Sequence, residues 1–204
     1  PKDPVSKNVE HAVVFVKMDD KRFFLEKVIR ENPEAKVMAF VRTKVRAERV
    51  MKAMERAGIS ALTIHGDKDQ EERNLMLNQF RSGETMLLIA TDVSARGIDI
   101  PDIQLVINYD LPDEAENYVH RVGRTGRGMN KGLAYSFCAD EEKEKLEEIQ
   151  SFLEKEIQVM SIDKHTYADI LNIGKHRTEK DFKAVMDDIH SFEEKKKSKK
   201  KKRR

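Results

Sequence analysis

The chain reads as an α/β protein built on an open, doubly wound, mostly parallel sheet with helices on both faces. Three observations predict this. Short β-branched runs recur along the sequence, amphipathic stretches of helical length separate them, and the most unusual loops each follow a strand. The strand candidates are AVVFV (12–16), KVMAFV (36–41), ALTIH (61–65), MLLIA (86–90), LVINY (105–109) and LAYSFC (133–138). Helices fall between them. Residues 44–57 carry Ala47, Val50, Met51 and Met54 on one face and stop at Gly58. Residues 70–82 carry Leu75, Met76 and Phe80 and stop at Gly83, a residue that readily takes the left-handed turn ending a helix. Asp140 is placed as an N-cap for 141–154, which carries Leu146, Ile149 and Leu153.

Length and charge bound the organisation. With 204 residues, the expectation is one α/β domain over 1–163, a helical extension over 164–194 with weaker patterning, and a disordered basic tail over 195–204. That tail, KKKSKKKKRR, holds nine of the 39 basic residues and none of the 37 acidic ones, leaving 30 against 37 in the body. An anion site in the body must therefore be local, made by placed arginines and backbone amides. Cys138 is the single cysteine, which fits a reducing, intracellular setting, and a cytoplasmic location is expected. No apolar run approaches the roughly 20 residues of a membrane span, and no signal peptide follows Pro1, so a soluble protein with no membrane partner is expected. Starting at Pro1 rather than Met points to a fragment of a longer polypeptide. The six histidines show no metal-ligand spacing, no metal is expected in this chain, and no GxSxG elbow supports acyl transfer.

In sheets of this kind ligands gather at the carboxyl ends of the strands, and four loops there carry chemistry. HRVGRTGRG (120–128) sets Arg121, Arg124 and Arg127 three apart with Gly123, Gly126 and Gly128 in the gaps. Guanidinium forks match phosphate oxygens and glycine lets a ligand reach the backbone, although a solvated glycine-arginine turn would read the same in isolation. In ATDVSARGIDIP (90–101), Thr91 and Asp92 end a buried strand where amides and a hydroxyl can meet a phosphate. Arg96, Gly97 and Asp99 then form a charged turn, which equally suits a structural pairing of Arg96 with Asp92 or Asp99. In HGDKDQEERN (65–74), Asp69 and Glu72 have capping-box spacing, Gly66 permits close backbone approach, and Gln70 and Arg73 lie three apart on the first helical turn. The fourth loop is VRTK (41–44), with Thr43.

Together VRTK, HGDKDQEER, ATDVSARGIDIP and HRVGRTGR occur in an order and spacing that resemble the C-terminal RecA-like domain of DEAD-box RNA helicases, bacterial members with a lysine-rich extension above all. The resemblance covers roughly residues 10–160. It implies that Arg124 and Arg127 reach the γ-phosphate of ATP, with Arg127 as the arginine finger, and that Gly97 and Asp99 contact the ribose and attacking-water region. His120, with Arg96, would couple the nucleotide to the RNA, while Arg121 would be structural or inter-domain. Thr43, Gly66, Gln70, Arg73, Thr91 and Asp92 would grip successive phosphates and 2′-hydroxyls of one RNA strand. The Walker A lysine, the adenine-reading Gln motif, the DEAD box and the SAT motif of such helicases belong to an N-terminal RecA-like domain, which would hold most of the ATP and the Mg²⁺. This chain alone is then expected neither to bind ATP tightly nor to hydrolyse it. DEAE (113–116) only imitates the acidic box: Pro112 precedes it, and its acids suit the positive end of a helix dipole. Gly174-Lys175 is followed by His176, so it is no P-loop.

Two rival classes stay open at this level. A free-standing RNA-binding module would keep Arg73 and Thr91 but has no use for Asp99, Arg124 and Arg127 together, and a protein-interaction scaffold would not depend on those arginines. The tail reads either as a salt-sensitive RNA tether or as a localisation or solubilising end.

Overall fold

Alternation decides which side of the sheet each strand residue serves. In β2 (Val37–Phe40), Val37 and Ala39 enter one core and Met38 and Phe40 the other, and all four are buried because helices cover both sides. β4 (Leu87–Ala90) divides its apolar residues in the same way, and β5 (Leu105–Asn108) does so up to the buried polar Asn108. The computed structural model describes residues 4–128, 130–177 and 183. There β1 (Val9–Phe15), β3 (Leu62–Ile64), β6 (Gly132–Cys138) and β7 (Gln158–Val159) complete a seven-stranded sheet. The order is β3-β4-β2-β5-β6-β1-β7, every neighbouring pair is parallel, and Ala39 stands opposite both Ile89 and Ile107. This is the RecA-like, doubly wound arrangement the sequence predicts.

One face is covered by α1 (Lys21–Glu31) and α2 (Lys44–Arg56), with Phe24, Leu25, Val50 and Met54 in the core. A further helix, α7 (164–177), joins them through Ile170. Its Tyr167 stacks on Phe24 at 5.0 Å and donates to Asp20 Oδ2 at 2.7 Å. The other face is covered by α3 (Gln70–Ser82), α4 (Asp92–Ala95), α5 (Ala115–Val122) and α6 (Lys143–Leu153), which bury Phe80, Ala95, Tyr118 and Ile149. No helix among the described residues is long and apolar enough to cross a membrane. The rest of the predicted extension, 178–194 apart from Lys183, and the basic tail lie outside the described residues.

Three local expectations change. In α3 it is Leu77, three residues before Phe80, that is buried, while Leu75 points outward with 61% of its surface exposed. Asp140 does not cap α6: a 3₁₀ turn, Asp140–Glu142, intervenes, and Asp140 pairs with Lys143 at 2.8 Å. Glu142 turns inward instead, where it accepts from the amides of Ala139 at 2.9 Å and Leu111 at 3.1 Å. Finally, β7 is a two-residue edge strand of exposed residues with no periodic signal, and α1 is a helix absent from the expectation although Phe24 and Leu25 recur four residues on as Val28 and Ile29.

Candidate functional site

The strand order sets three of the predicted loops side by side, because β3, β4 and β2 are neighbours and Gly66, Thr91 and Thr43 follow them. Thr43 caps α2, its Oγ1 accepting from the Arg46 amide at 3.2 Å. Gly66 is exposed, with open space where a Cβ would stand. Asp69 and Glu72 form the expected capping box at 2.8 and 3.3 Å. Gln70 is exposed and bonds Asn74 at 3.1 Å rather than turning toward Arg73. Arg73 reaches only the Ser94 carbonyl, at 3.4 Å, and its Nε is buried without a partner among the described residues. That fork keeps donors to spare. Ser94 ties this edge together: its hydroxyl donates to Ile64 O at 2.7 Å and accepts from the Thr91 amide at 3.1 Å.

The second cluster lies at the far end of α4. Gly97, with φ of +72° and open space where a Cβ would stand, turns the chain so that Ile98 and Asp99 face the loop after α5. Gly97, Asp99, His120, Arg124 and Arg127 then line one open concavity, with Ile98 and Val119 as its apolar wall. His120 and Arg124 also line a smaller adjoining hollow of about 120 Å³ that includes Arg96, Asp92 and Asn117. His120 is therefore exposed between the two clusters. Arg96 is exposed and pairs with neither Asp92 nor Asp99, because Arg121 and Arg127 occupy those carboxylates.

The three arginines of equal spacing have unequal lives. Arg121 lies in the last turn of α5 and is 2% exposed. Its Nε and Nη2 hold the two oxygens of Asp92 at 2.6 and 2.7 Å, and its Nη1 donates to Asp110 O at 2.7 Å and Asn108 Oδ1 at 3.2 Å. Such a bidentate fork, with four of its five N–H donors spent, is architecture. It also commits the Asp92 carboxylate, leaving that residue's backbone to meet any phosphate. Arg124 is half-buried and braces the charged turn by donating to the carbonyls of Ile98 and Ala95. Burial, and then the neighbouring Arg127 charge, pull its pKa below the usual arginine value. Arg127 is half exposed, donates to Gly123 O at 3.2 Å and pairs with the exposed Asp99 carboxylate. The glycines also differ from the expected role. A Cβ on Gly126 would stand 2.5 Å from Val9 Cγ2 and 3.0 Å from Asn8 O, so that glycine seats the turn on the start of β1 rather than admitting a ligand.

Sequence reasoning missed a buried charge cluster. Lys21 Nζ, inaccessible, lies 2.6 Å from Glu142 and 3.3 Å from Asp110. Asp110 also accepts from Arg46 Nε at 2.6 Å and the Arg42 amide at 3.1 Å. Burial alone would raise the Asp110 pKa, but the Arg46 hydrogen bond and the Lys21 charge hold it below the usual carboxylate value. The DEAE segment lies beside this cluster, with Asp113 paired to Lys145 and Glu116 in the first turn of α5.

Comparison with known proteins agrees with this fold. The chain matches the helicase conserved C-terminal domain over residues 20–129. It is 46% identical over 154 residues to the ATP-dependent RNA helicase DbpA of Bacillus subtilis, covering 75% of this chain and 32% of DbpA. It is 40% identical over 169 residues to the ATP-dependent RNA helicase RhlB of Shewanella frigidimarina, covering 83% of this chain and 39% of RhlB. The chain thus spans about a third of the curated relatives it matches. Among solved structures, the E. coli DEAD-box protein SrmB bound to regulator of ribonuclease activity A superposes with a TM-score of 0.73 at 32% identity, covering 78% of this chain and 94% of that one. S. cerevisiae Dbp5 bound to RNA and ADP BeF3 gives 0.73 at 29% identity, covering 87% and 48%.

Proposed function

Because the chain belongs to the helicase conserved C-terminal domain family, in its DEAD-box RNA helicase form, we propose that it is the second motor domain of an ATP-dependent RNA helicase. In this reading it supplies the arginine finger and half of the grip on the RNA backbone. One observation carries the proposal: Gly97, Asp99, His120, Arg124 and Arg127 line a single concavity, while Thr43, Gly66, Arg73 and Thr91 sit at the other end of α4. A plain RNA-binding module would need only the second group.

ATP is the substrate, bound mainly by an N-terminal RecA-like domain that also holds Mg²⁺. The residues here fit its phosphates: Arg127 is half exposed and, among the described residues, held only by an exposed carboxylate and one carbonyl, so it can exchange Asp99 for an anion. Arg124 spends two donors on carbonyls and keeps the others. Both guanidiniums, presented from a turn fixed against β1, stabilise charge that develops as the γ-phosphoryl group transfers. Asp99, once released by Arg127, accepts from the ribose.

On the RNA side, Thr43, Gly66, Gln70, Arg73, Thr91 and Asp92 contact phosphates and 2′-hydroxyls, which gives affinity without sequence preference. α4 joins the two ends, and Arg121 clamps it through Asp92 to the ends of β5 and α5. His120 and Arg96, exposed between the clusters, couple them. Closure of the two domains on ATP then bends the bound strand out of duplex geometry. Alone, this chain is inactive as an ATPase. The segment 195–204 adds a salt-screened tether for RNA, and a cytoplasmic setting belongs to the same proposal.

The test is Arg127→Ala in the protein carrying its N-terminal domain. RNA-stimulated ATP hydrolysis falls by about 10³-fold or more while thermal unfolding stays put. Near-normal turnover in a folded variant removes the finger.

A further inference from the structure

A row of cations that no helicase motif uses runs down α2. Arg46, Arg49, Lys52 and Arg56 follow one another at intervals of three, three and four, which keeps them on one face of the helix. Arg22 of α1 closes the far wall, giving an open groove of about 500 Å³ with Tyr109 at its floor and Asp19 as its one acidic lining residue. Arg46 is committed, bonded to Asp110 at 2.6 Å and stacked 5.3 Å from the Tyr109 ring. Arg49, Lys52 and Arg56 are exposed, and none of the three forms an ion pair among the described residues. The Arg22 guanidinium lies over the Phe23 ring at 4.5 Å, and its side chain also lines the groove. In a body with more acids than bases, unpaired cations concentrated in one groove make a local anion-attracting surface.

We propose that this groove is a second RNA-backbone contact, holding the strand where it leaves the grip at the carboxyl edge. The proposal rests on the reading of Thr43 as an RNA-grip residue, and continuity argues for RNA over an acidic polypeptide. Thr43 is the N-cap of α2, so the row begins one turn beyond it and runs from Arg46 to Arg56, about 15 Å along the helix. A strand leaving Thr43 meets the cations in order. They are carried on a rigid helix and aimed at phosphates, so the contact gives affinity and not sequence choice.

The experiment uses the chain with its basic tail in place and a triple variant, Arg49→Ala, Lys52→Ala, Arg56→Ala. Fluorescently labelled RNAs of about 6 and about 20 nucleotides are titrated across a salt series, the shorter filling the edge grip alone. In the triple variant the longer RNA loses affinity, and its slope of log affinity against log salt becomes shallower by about 2, the single-strand value for three phosphates. The shorter RNA is bound as before. An unchanged slope for the longer RNA overturns the groove contact. So does a loss of equal size for both lengths, which places the cations in the grip itself. If the variant instead loses only binding to a poly-glutamate probe, the groove serves an acidic polypeptide and the RNA assignment fails. Arg73→Ala run alongside reports separately on the underlying reading, since it weakens both lengths if the edge grip is right and neither if it is wrong. The three substitutions are on exposed positions, and an unchanged unfolding temperature verifies the fold.

Discussion

Two clusters of opposite charges stand on this sheet, and they are built to opposite specifications. Lys21, Asp110 and Glu142 are inaccessible to solvent, and their carboxylates are met by amides and arginines from four separate segments. Arg124, Arg127 and Asp99 stand at an open concavity, held by carbonyls and one exposed carboxylate. The first cluster is closed in hydrogen bonds and the second is provisional. A sealed network cannot change partners without exposing a bare charge in low dielectric, whereas a cation resting on an exposed acid exchanges it for a phosphate at little cost. Burial thus separates a sealed network from an exchangeable one.

The sharpest way to break this comparison is to remove a cation from each side. Lys21→Met leaves two buried carboxylates facing each other and costs about 3–5 kcal/mol, a fall of about 10 °C in Tm. Arg127→Ala removes a cation of equal charge and shifts Tm by about 1 °C or less, because a half-exposed pair contributes little. Calorimetry on both variants decides it. Comparable losses would mean that the rim is as structural as the core.

Arg121→Lys is the next largest effect. An ammonium cannot span both Asp92 oxygens and also reach Asp110 O and Asn108, so about 2–3 kcal/mol is lost although the charge is kept. Denaturant titration measures it. The same conservative change at Arg127 leaves stability intact and appears only in ATP turnover.

These arginines also show where the sequence stops speaking. The strands were legible because every residue of a doubly covered strand is apolar or nearly so, and α3 was legible to its ends, from Asp69 to Gly83, because both caps carry local chemistry. The motif HRVGRTGR announced a cluster of guanidiniums, and Gly97, Asp99, Arg124 and Arg127 do share a concavity. What the spacing could not say is that α5 ends at Val122, so that Arg121 projects from a helix into the sheet while Arg124 and Arg127 project from a turn. The Lys21 cluster had no local trace. Its members are 89 and 121 residues apart in the chain, and only the strand order brings them together. Leu75 and Leu77 failed for a smaller reason, since a two-residue shift of an apolar stripe is invisible when neighbouring positions are all apolar.

Acid tests the buried cluster by a smaller effect. The folded Asp110 titrates below its unfolded value, so its contribution to stability is complete above the unfolded carboxylate pKa, about 3.9, and is lost as pH falls through the folded value. Asp110→Asn therefore lowers stability at neutral pH and flattens the acid limb of the stability curve below about pH 4. Unfolding measured from neutral pH down into this acid range checks it, and an acid limb as steep in the variant as in the parent would contradict the assignment.

The smallest effect tests the rim from its acidic side. Asp99 is 82% exposed at its side chain and Arg127 49%, so their pairing is screened, and Asp99→Asn changes stability by about 0.5 kcal/mol or less. Its consequence belongs to binding. In the protein with its N-terminal domain, asparagine keeps one acceptor for the ribose while releasing Arg127 from its resting partner. The ATP KM then moves by about fivefold or less, the worth of one hydrogen bond of about 1 kcal/mol, and kcat survives where Arg127→Ala loses it. The two variants together ask whether the carboxylate parks the arginine or works with it. If Asp99→Asn abolishes turnover as completely as Arg127→Ala, the acid takes part in the chemistry and its pairing with Arg127 is a working contact rather than a place of rest.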